Sequence, residues 1–491
     1  MAAAAAIAAA TTATTTTIVT AIVERRRTWW MGGGASPRGS HPRRHADTLE
    51  RGFERRRVHT SPRAACELGG MGAGAWAYPA ARSWCSWRRA VSCGVVEHAP
   101  DLHEQLFAPG PRTDGVLPAQ HLEKAMAAGI VDAGRYTIPP GNVQPASLDL
   151  RLGERATRLR CSFLPGDDAV ADKLAYYALD ELDLRGRGAV LETGRPYLVE
   201  LKERLDLPSH MHGKANPKSS TGRVDVFTRV ITDGGRRFDE VAAGYQGGLY
   251  LEIVPLSFPV RVREDLTLNQ LRLAIGRPRL TDDEIHQAHA AQPLLCEEGA
   301  AVPGPALMVA DGLFLGLDLR GDADGRVGYC ARDSAPLLDL GSAEPVEPDL
   351  FWEPVRREEG DRVALSPRRF YLLMSRQAVC VPPGLAAEMT AYDPTSGELR
   401  THYAGFFDPG FGFDPAGHSH GSRAALEVRA HDVPFMIEDG QPVCKLTFER
   451  MLEEPVALYG AGIGSSYQGQ RETLSKWFRG AHRPVGAVAP R

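Results

Sequence analysis

The 491-residue chain lacks paired cysteines. Its eight, Cys66, Cys85, Cys93, Cys161, Cys296, Cys330, Cys380 and Cys444, are dispersed without metal-ligand spacing. This argues against structural zinc and leaves them as core or loop thiols of a reducing compartment. The GxxxxGK(S/T) phosphate loop is absent as well. So is any apolar run fit to cross a bilayer, since Ile7 to Val23 is short and diluted by threonine. A formal net charge of −4 denies the chain the positive excess of a general nucleic-acid binder, so an anion site must be a local basic patch. Acids and bases are missing up to Val23, and lysine is missing from the arginine-rich region that Glu24-Arg25-Arg26-Arg27 begins. That composition has the character of an organelle transit peptide and linker, which would deliver the protein to a plastid or mitochondrion. A disordered tail or upstream extension on a cytoplasmic protein is the alternative.

What is present is ordinary for a globular protein, 43% hydrophobic and 24% charged residues, and at about 150 residues per domain the length implies two or three domains. Order is expected from near Asp114, with Leu122, Met126, Ala127 and Ile130 at helical spacing across Pro118 to Val131. Turn signals at 139–141, 165–167 and 186–188 then separate short alternating runs, the texture of a β-rich fold. The most informative stretch runs from Gly213 to Phe227. Its glycines and hydroxyls let backbone N–H groups approach a phosphate, while Lys214, Lys218 and Arg223 offset the charge. It reads as an anion cradle or as a solvated turn, with a strand from Val224 and no strand running directly into a helix. Farther on, Gly244-Tyr245-Gln246-Gly247 leads into a strand whose period of two puts Tyr250, Glu252 and Val254 on one face. An acid there is either an edge-strand surface residue or a partly desolvated carboxylate suited to general-base work.

Together these stretches resemble the dCTP deaminase family, relatives of the trimeric dUTPases. The resemblance is carried by Lys218-Ser219-Ser220-Thr221-Gly222-Arg223 and by Gly244-Tyr245-Gln246-Gly247 with Leu251-Glu252 beyond it. Ser147-Leu148-Asp149-Leu150-Arg151-Leu152-Gly153 matches the family's early strand, and Ser466-Tyr467-Gln468-Gly469-Gln470 its C-terminal lid. A repeat at offsets of about 170 to 175 residues runs through the same region. Leu148-Asp149-Leu150-Arg151 returns as Leu317-Asp318-Leu319-Arg320, Tyr197-Leu198 as Tyr371-Leu372, Leu251-Glu252-Ile253 as Leu426-Glu427-Val428, and Asn269-Gln270 as Gly440-Gln441. The expected fold is mainly β: two tandem dUTPase-like distorted β-barrels of the β-clip type with short helices, preceded by a disordered leader. The leader and linker would occupy 1–105, the first domain 114–278, and the second, with the lid, 304–475.

The resemblance implies hydrolysis of dCTP at its 4-amino group to dUTP and ammonia, with no metal at the catalytic centre. Glu252 would activate water and shuttle the proton, Ser219 would position the water or amino group, and Arg223 would support developing charge or hold Glu252. Lys218, Ser220 and Gly222 would hold phosphates, Mg²⁺ would arrive on the triphosphate, Asp239 would recognise the deoxyribose hydroxyl, and Tyr467 and Gln470 would close over the nucleotide. A zinc route is disfavoured, because His121-Leu122-Glu123 is followed by no PCxxC. His418 and His420 with Asp414 read as a mobile glycine-rich loop rather than a metal site. In the second copy, Tyr392 to Arg400 has lost the lysine and one serine and gained Asp393 and Glu398, so the site is assigned to the first copy. Glu427, Arg400 and the turn Asp408-Pro409-Gly410-Phe411-Gly412 either form a degenerate site or complete the first one from across an interface. A dUTP diphosphatase, a bifunctional enzyme and an inactive nucleotide-binding protein are the alternatives. Kinship further implies a homo-oligomer, a trimer in preference, with no nucleic-acid or membrane partner.

Overall fold

The computed structural model describes residues 114–390, 399–401, 405–414 and 421–481. The expected leader, Cys66, Cys85, Cys93, the loop from Tyr392 to Glu398, and His418 and His420 lie outside the described residues.

The helix expected near Leu122 forms as α1 (Ala119–Ala127), with Leu122 and Ala125 turned into the core. The main strands of the first half are β1 (Leu148–Leu159), β2 (Tyr197–Asp206), β3 (Met211–Pro217), β4 (Val226–Thr232), β5 (Gln246–Pro255) and β6 (Thr267–Ile275). They lie side by side in the order β4-β5-β2-β1-β6-β3, antiparallel throughout. Strand alternation explains the core they enclose: Leu249, Leu251 and Ile253 are fully buried on one face of β5. In the second half, β7 (Phe370–Val379) pairs with β9 (Ser422–Ala430), and β8 (Leu385–Thr390) with β10 (Pro442–Arg450). The repeat shows directly in the pairing register. Leu198 sits opposite Glu252 and Tyr197 opposite Ile253, as Leu372 sits opposite Glu427 and Tyr371 opposite Val428.

The two halves share their packing. Trp352, Phe351 and Phe478 from the second half enter the core around Phe258 of the first, with ring centroids 5.1 Å apart for Phe258–Trp352 and 5.3 Å for Phe351–Phe478. Edge-to-face contacts of this kind add to the burial of each ring, itself worth about 1.5–3 kcal/mol. Leu338–Asp339 also runs parallel to Val260–Val262 as an added strand on the first half. The rest of the junction is polar. Glu388 accepts from Lys214 and from Asn216 Nδ2 at 2.9 Å, while Arg272 reaches Asp408 at 3.1 Å and Glu449 at 3.0 Å. No helix among the described residues is long and apolar enough to cross a membrane.

Candidate active site

At that junction lies a cavity of about 290 Å³, and the basic loop forms one wall of it. β3 ends at Pro217, which cannot donate to a further rung, and the chain turns at once into a single helical turn, α2 (Ser219–Gly222). Thr221 and Gly222 both donate to the Lys218 carbonyl, at 2.8 and 3.1 Å. A strand therefore does run almost directly into a helical turn, contrary to the expectation, because the proline ends the ladder and the small hydroxyl residues after it accept the tight bend. Lys218, Ser219, Ser220, Gly222 and Arg223 all line the cavity.

The C-terminal segment supplies a second wall. Gln470 Oε1 accepts from Arg223 Nη2 at 2.6 Å, the Thr473 carbonyl from Nη1 at 3.3 Å, and the Arg223 guanidinium lies 3.7 Å from the centre of the Tyr467 ring. Ser475 Oγ donates to the Ser220 carbonyl at 2.9 Å. Gln468 grips the turn at Asp408, donating to the Gly410 carbonyl at 3.1 Å and accepting from Gly412 N at 2.9 Å. Gly410 has φ of 100°, and a Cβ there would stand 2.7 Å from Tyr459 N, so this close approach requires glycine.

The carboxylates are arranged differently from the sequence expectation. Glu252 is not among the cavity-lining residues. Its side chain is fully buried and ion-paired with Arg229, whose Nε lies 3.1 Å from Oε1, because antiparallel pairing sets these two residues opposite each other across β4 and β5. Asp239 is also elsewhere: its carboxylate caps Val230 N at 2.7 Å, and desolvation raises its pKa to about 7. The acids that do line the cavity are Glu427, Asp408 and Asp149. Glu427 is buried on β9, and among the described residues its carboxyl has no ion-pair partner. Desolvation pushes its pKa up to about 8, with Arg223 pulling down and Asp225 pushing up. Asp408, also raised by burial, accepts from Arg272 at 3.1 Å and from Ser147 Oγ at 3.4 Å. Asp149 pairs with Lys218, and desolvation lifts its pKa against that pairing.

Lys476, which the sequence reading missed, lines the cavity too. Desolvation and then repulsion from Lys218 lower its pKa, and Asp149 opposes them. One sequence signal did favour the second-half acids. Tyr245 N donates to the Ala242 carbonyl at 3.2 Å as Phe411 N does to that of Asp408 at 3.0 Å, so the two turns correspond, and only the later one carries an acid. Met389, Phe406, Phe407 and Phe411 add apolar surface to the cavity lining. The arrangement thus offers a basic end for an anion, an apolar slot, and a carboxylate of raised proton affinity beside an arginine.

Residues 113–277 match the family described as the 2'-deoxycytidine 5'-triphosphate deaminase (DCD) N-terminal domain, and residues 281–478 match its C-terminal domain. Among curated proteins, the dCTP deaminase of Ignicoccus hospitalis is 29% identical over 152 residues, 30% of this chain and 79% of that protein. The dUMP-forming dCTP deaminase of Methanosphaerula palustris is 30% identical over 135 residues, 27% of this chain and 67% of that protein. The crystal structure of 2'-deoxycytidine 5'-triphosphate deaminase from Agrobacterium tumefaciens is similar with a TM-score of 0.66 and 44% identity, covering 72% of this chain and 98% of that one.

Proposed function

This chain belongs to the dCTP deaminase family, and we propose that the cavity between its halves hydrolyses the 4-amino group of dCTP, releasing dUTP and ammonia. The observation that carries this reading is Glu427: a buried carboxyl, without an ion-pair partner among the described residues and with a pKa near 8, that faces the same space as Ser219 and Arg223. In the ionised form Glu427 takes a proton from water as the hydroxide adds to C4 and passes it to N3, then carries the hydroxyl proton of the tetrahedral intermediate to the amino group, so ammonia leaves, C4 becomes the carbonyl of dUTP and the carboxylate is restored. Ser219 orients the water or the amine, and Arg223 offsets the charge that develops.

Lys218, Ser220, Gly222 and Lys476 form the phosphate end, where the two ammonium ions and the Ser220 hydroxyl meet the triphosphate and Gly222 lets it approach the backbone. Asp408 takes the deoxyribose role first given to Asp239. Tyr467 and Gln470 close the site and already brace Arg223. Mg²⁺ would enter on the triphosphate. Of the cavity acids, Asp149 is held by Lys218 and Asp408 by Arg272, which fits an ion ligated by phosphate oxygens.

Kinship supports a trimer of such chains, to be read by light scattering. The composition of the first hundred residues supports import into a plastid or mitochondrion, to be read by imaging a fluorescent fusion. Product analysis tests the reaction itself: dCTP with Mg²⁺ should yield equal ammonia and dUTP. Diphosphate with dUMP would show instead the reaction named for the dUMP-forming relatives, and no turnover would refute the enzyme reading.

A further inference from the structure

Glu427 and Arg223 come from different halves of the chain, so something must hold them in register. Two residues beyond each lies a charged partner of the other half. Asp225 follows Arg223, and Arg429 follows Glu427 on β9, where a period of two places both side chains on one face. Arg429 Nη2 donates to Asp225 Oδ2, and the Asp225 side chain is fully buried. The same oxygen accepts from Ser257 Oγ at 2.5 Å. Asp225 adopts φ of 56°, uncommon for a residue other than glycine. Its backbone is tied on both sides, N to the Gly222 carbonyl and its carbonyl to Leu256 N, each at 2.9 Å. Neither Asp225 nor Arg429 lines the cavity.

Resting on the reading above, we propose that Asp225 and Arg429 are positioning residues: their ion pair locks the two halves so that Glu427 meets Arg223 and the substrate in reactive alignment. The pair also sets the field at the reacting carboxyl. Among the described residues, the charged groups that act on the Glu427 carboxyl are Arg223 and Asp225 from the first half, and Glu427 in turn acts on the buried Cys444 thiol of β10. Asp225 favours the protonated acid, and its own pairing with Arg429 tempers that effect.

The test is kcat, KM and the pH profile of the full chain for Asp225→Asn, Arg429→Met and Arg429→Lys, with the folded fraction of each measured by thermal unfolding. A displacement of about 1 Å at a reacting group costs about 100-fold, so Asp225→Asn and Arg429→Met should lower kcat per folded molecule by about 10- to 100-fold, with KM for dCTP changed far less. Their acidic limbs should move in opposite directions: to lower pH in Asp225→Asn, where a cation is left uncompensated, and to higher pH in Arg429→Met, where an anion is. Arg429→Lys keeps the charge and should lose about tenfold in kcat with its limb unmoved, which keeps the question open to measurement if the other two fail to fold. Activity that falls only with the folded fraction, limbs that stay in place in both neutralised variants, or a wild-type kcat in Arg429→Lys would each overturn the proposal. A wild-type protein that does not deaminate dCTP would refute the underlying reading instead, before any variant is made.

Discussion

Changing Glu427 to Gln should stop the enzyme and stabilise the protein at once, and the sign follows from where the carboxyl sits. Its pKa in the fold is about 8 against an ordinary 4.5, so the folded state binds this proton more tightly than the unfolded chain does. The stability it contributes is full below about pH 4.5 and is lost as pH rises through 8, where wild type carries the whole cost of a buried anion. At about 1.4 kcal/mol per unit, that cost is on the order of 4–5 kcal/mol as an upper bound. Glutamine does not titrate and matches the protonated acid in shape. Denaturant unfolding should therefore show the variant equal to wild type near pH 4.5 and more stable by a few kcal/mol at pH 9. Ammonia release should fall by about 10²- to 10⁴-fold, the span of a lost general base, while dCTP still binds. In wild type, kcat/KM should drop about tenfold per unit below pH 8, as the fraction of ionised Glu427 falls. A variant that retains turnover, or that gains no stability at pH 9, would refute the assignment of a desolvated catalytic carboxyl to this position.

Glu252→Gln should leave kcat near wild type and cost about 1–3 kcal/mol of unfolding free energy, because Arg229 loses its partner but is partly solvated; a loss of turnover matching that of Glu427→Gln would restore Glu252 to the chemistry. Lys476→Ala should raise KM for dCTP by about 10- to 100-fold with a smaller change in kcat, the measure of one charged hydrogen bond to phosphate, and an unchanged KM would remove Lys476 from the phosphate end. Asp408→Ala should raise KM and also destabilise by about 3–5 kcal/mol, since Arg272 is left buried without one of its acids; a stable variant that binds dCTP normally would exclude Asp408 from both roles.

The parts of the site that were legible in the sequence are those whose chemistry is local. Lys218 to Arg223 is a contiguous run whose lysine, two serines and arginine state its polarity, although the helical turn that follows Pro217 departs from the expectation that no strand runs directly into a helix. Tyr467 and Gln470 belong to one short segment in the same way. The choice between Glu252 and Glu427 was not legible, because both sit in equivalent registers of equivalent strands. What separates them is what faces each from elsewhere. Arg229 reaches Glu252 through strand pairing, and the basic loop of the first half reaches Glu427 only through the docking of the halves. Likewise, nothing local in Trp352 or Phe478 says that they fill the core of the first half.

The divergence of these two acids has a physical basis in the tandem arrangement. In a symmetric assembly of identical subunits each residue appears at every equivalent position, so an arginine that neutralises one glutamate neutralises them all. Two copies in one chain are released from that identity. The first can keep its lysine-serine loop and close its glutamate with Arg229, while the second keeps Glu427 and Asp408 open to the cavity. Each half then supplies what the other lacks. The cavity lies at their junction, and the ion pairs Lys214–Glu388, Arg272–Asp408 and Asp225–Arg429 that join the halves also determine how well the site is formed.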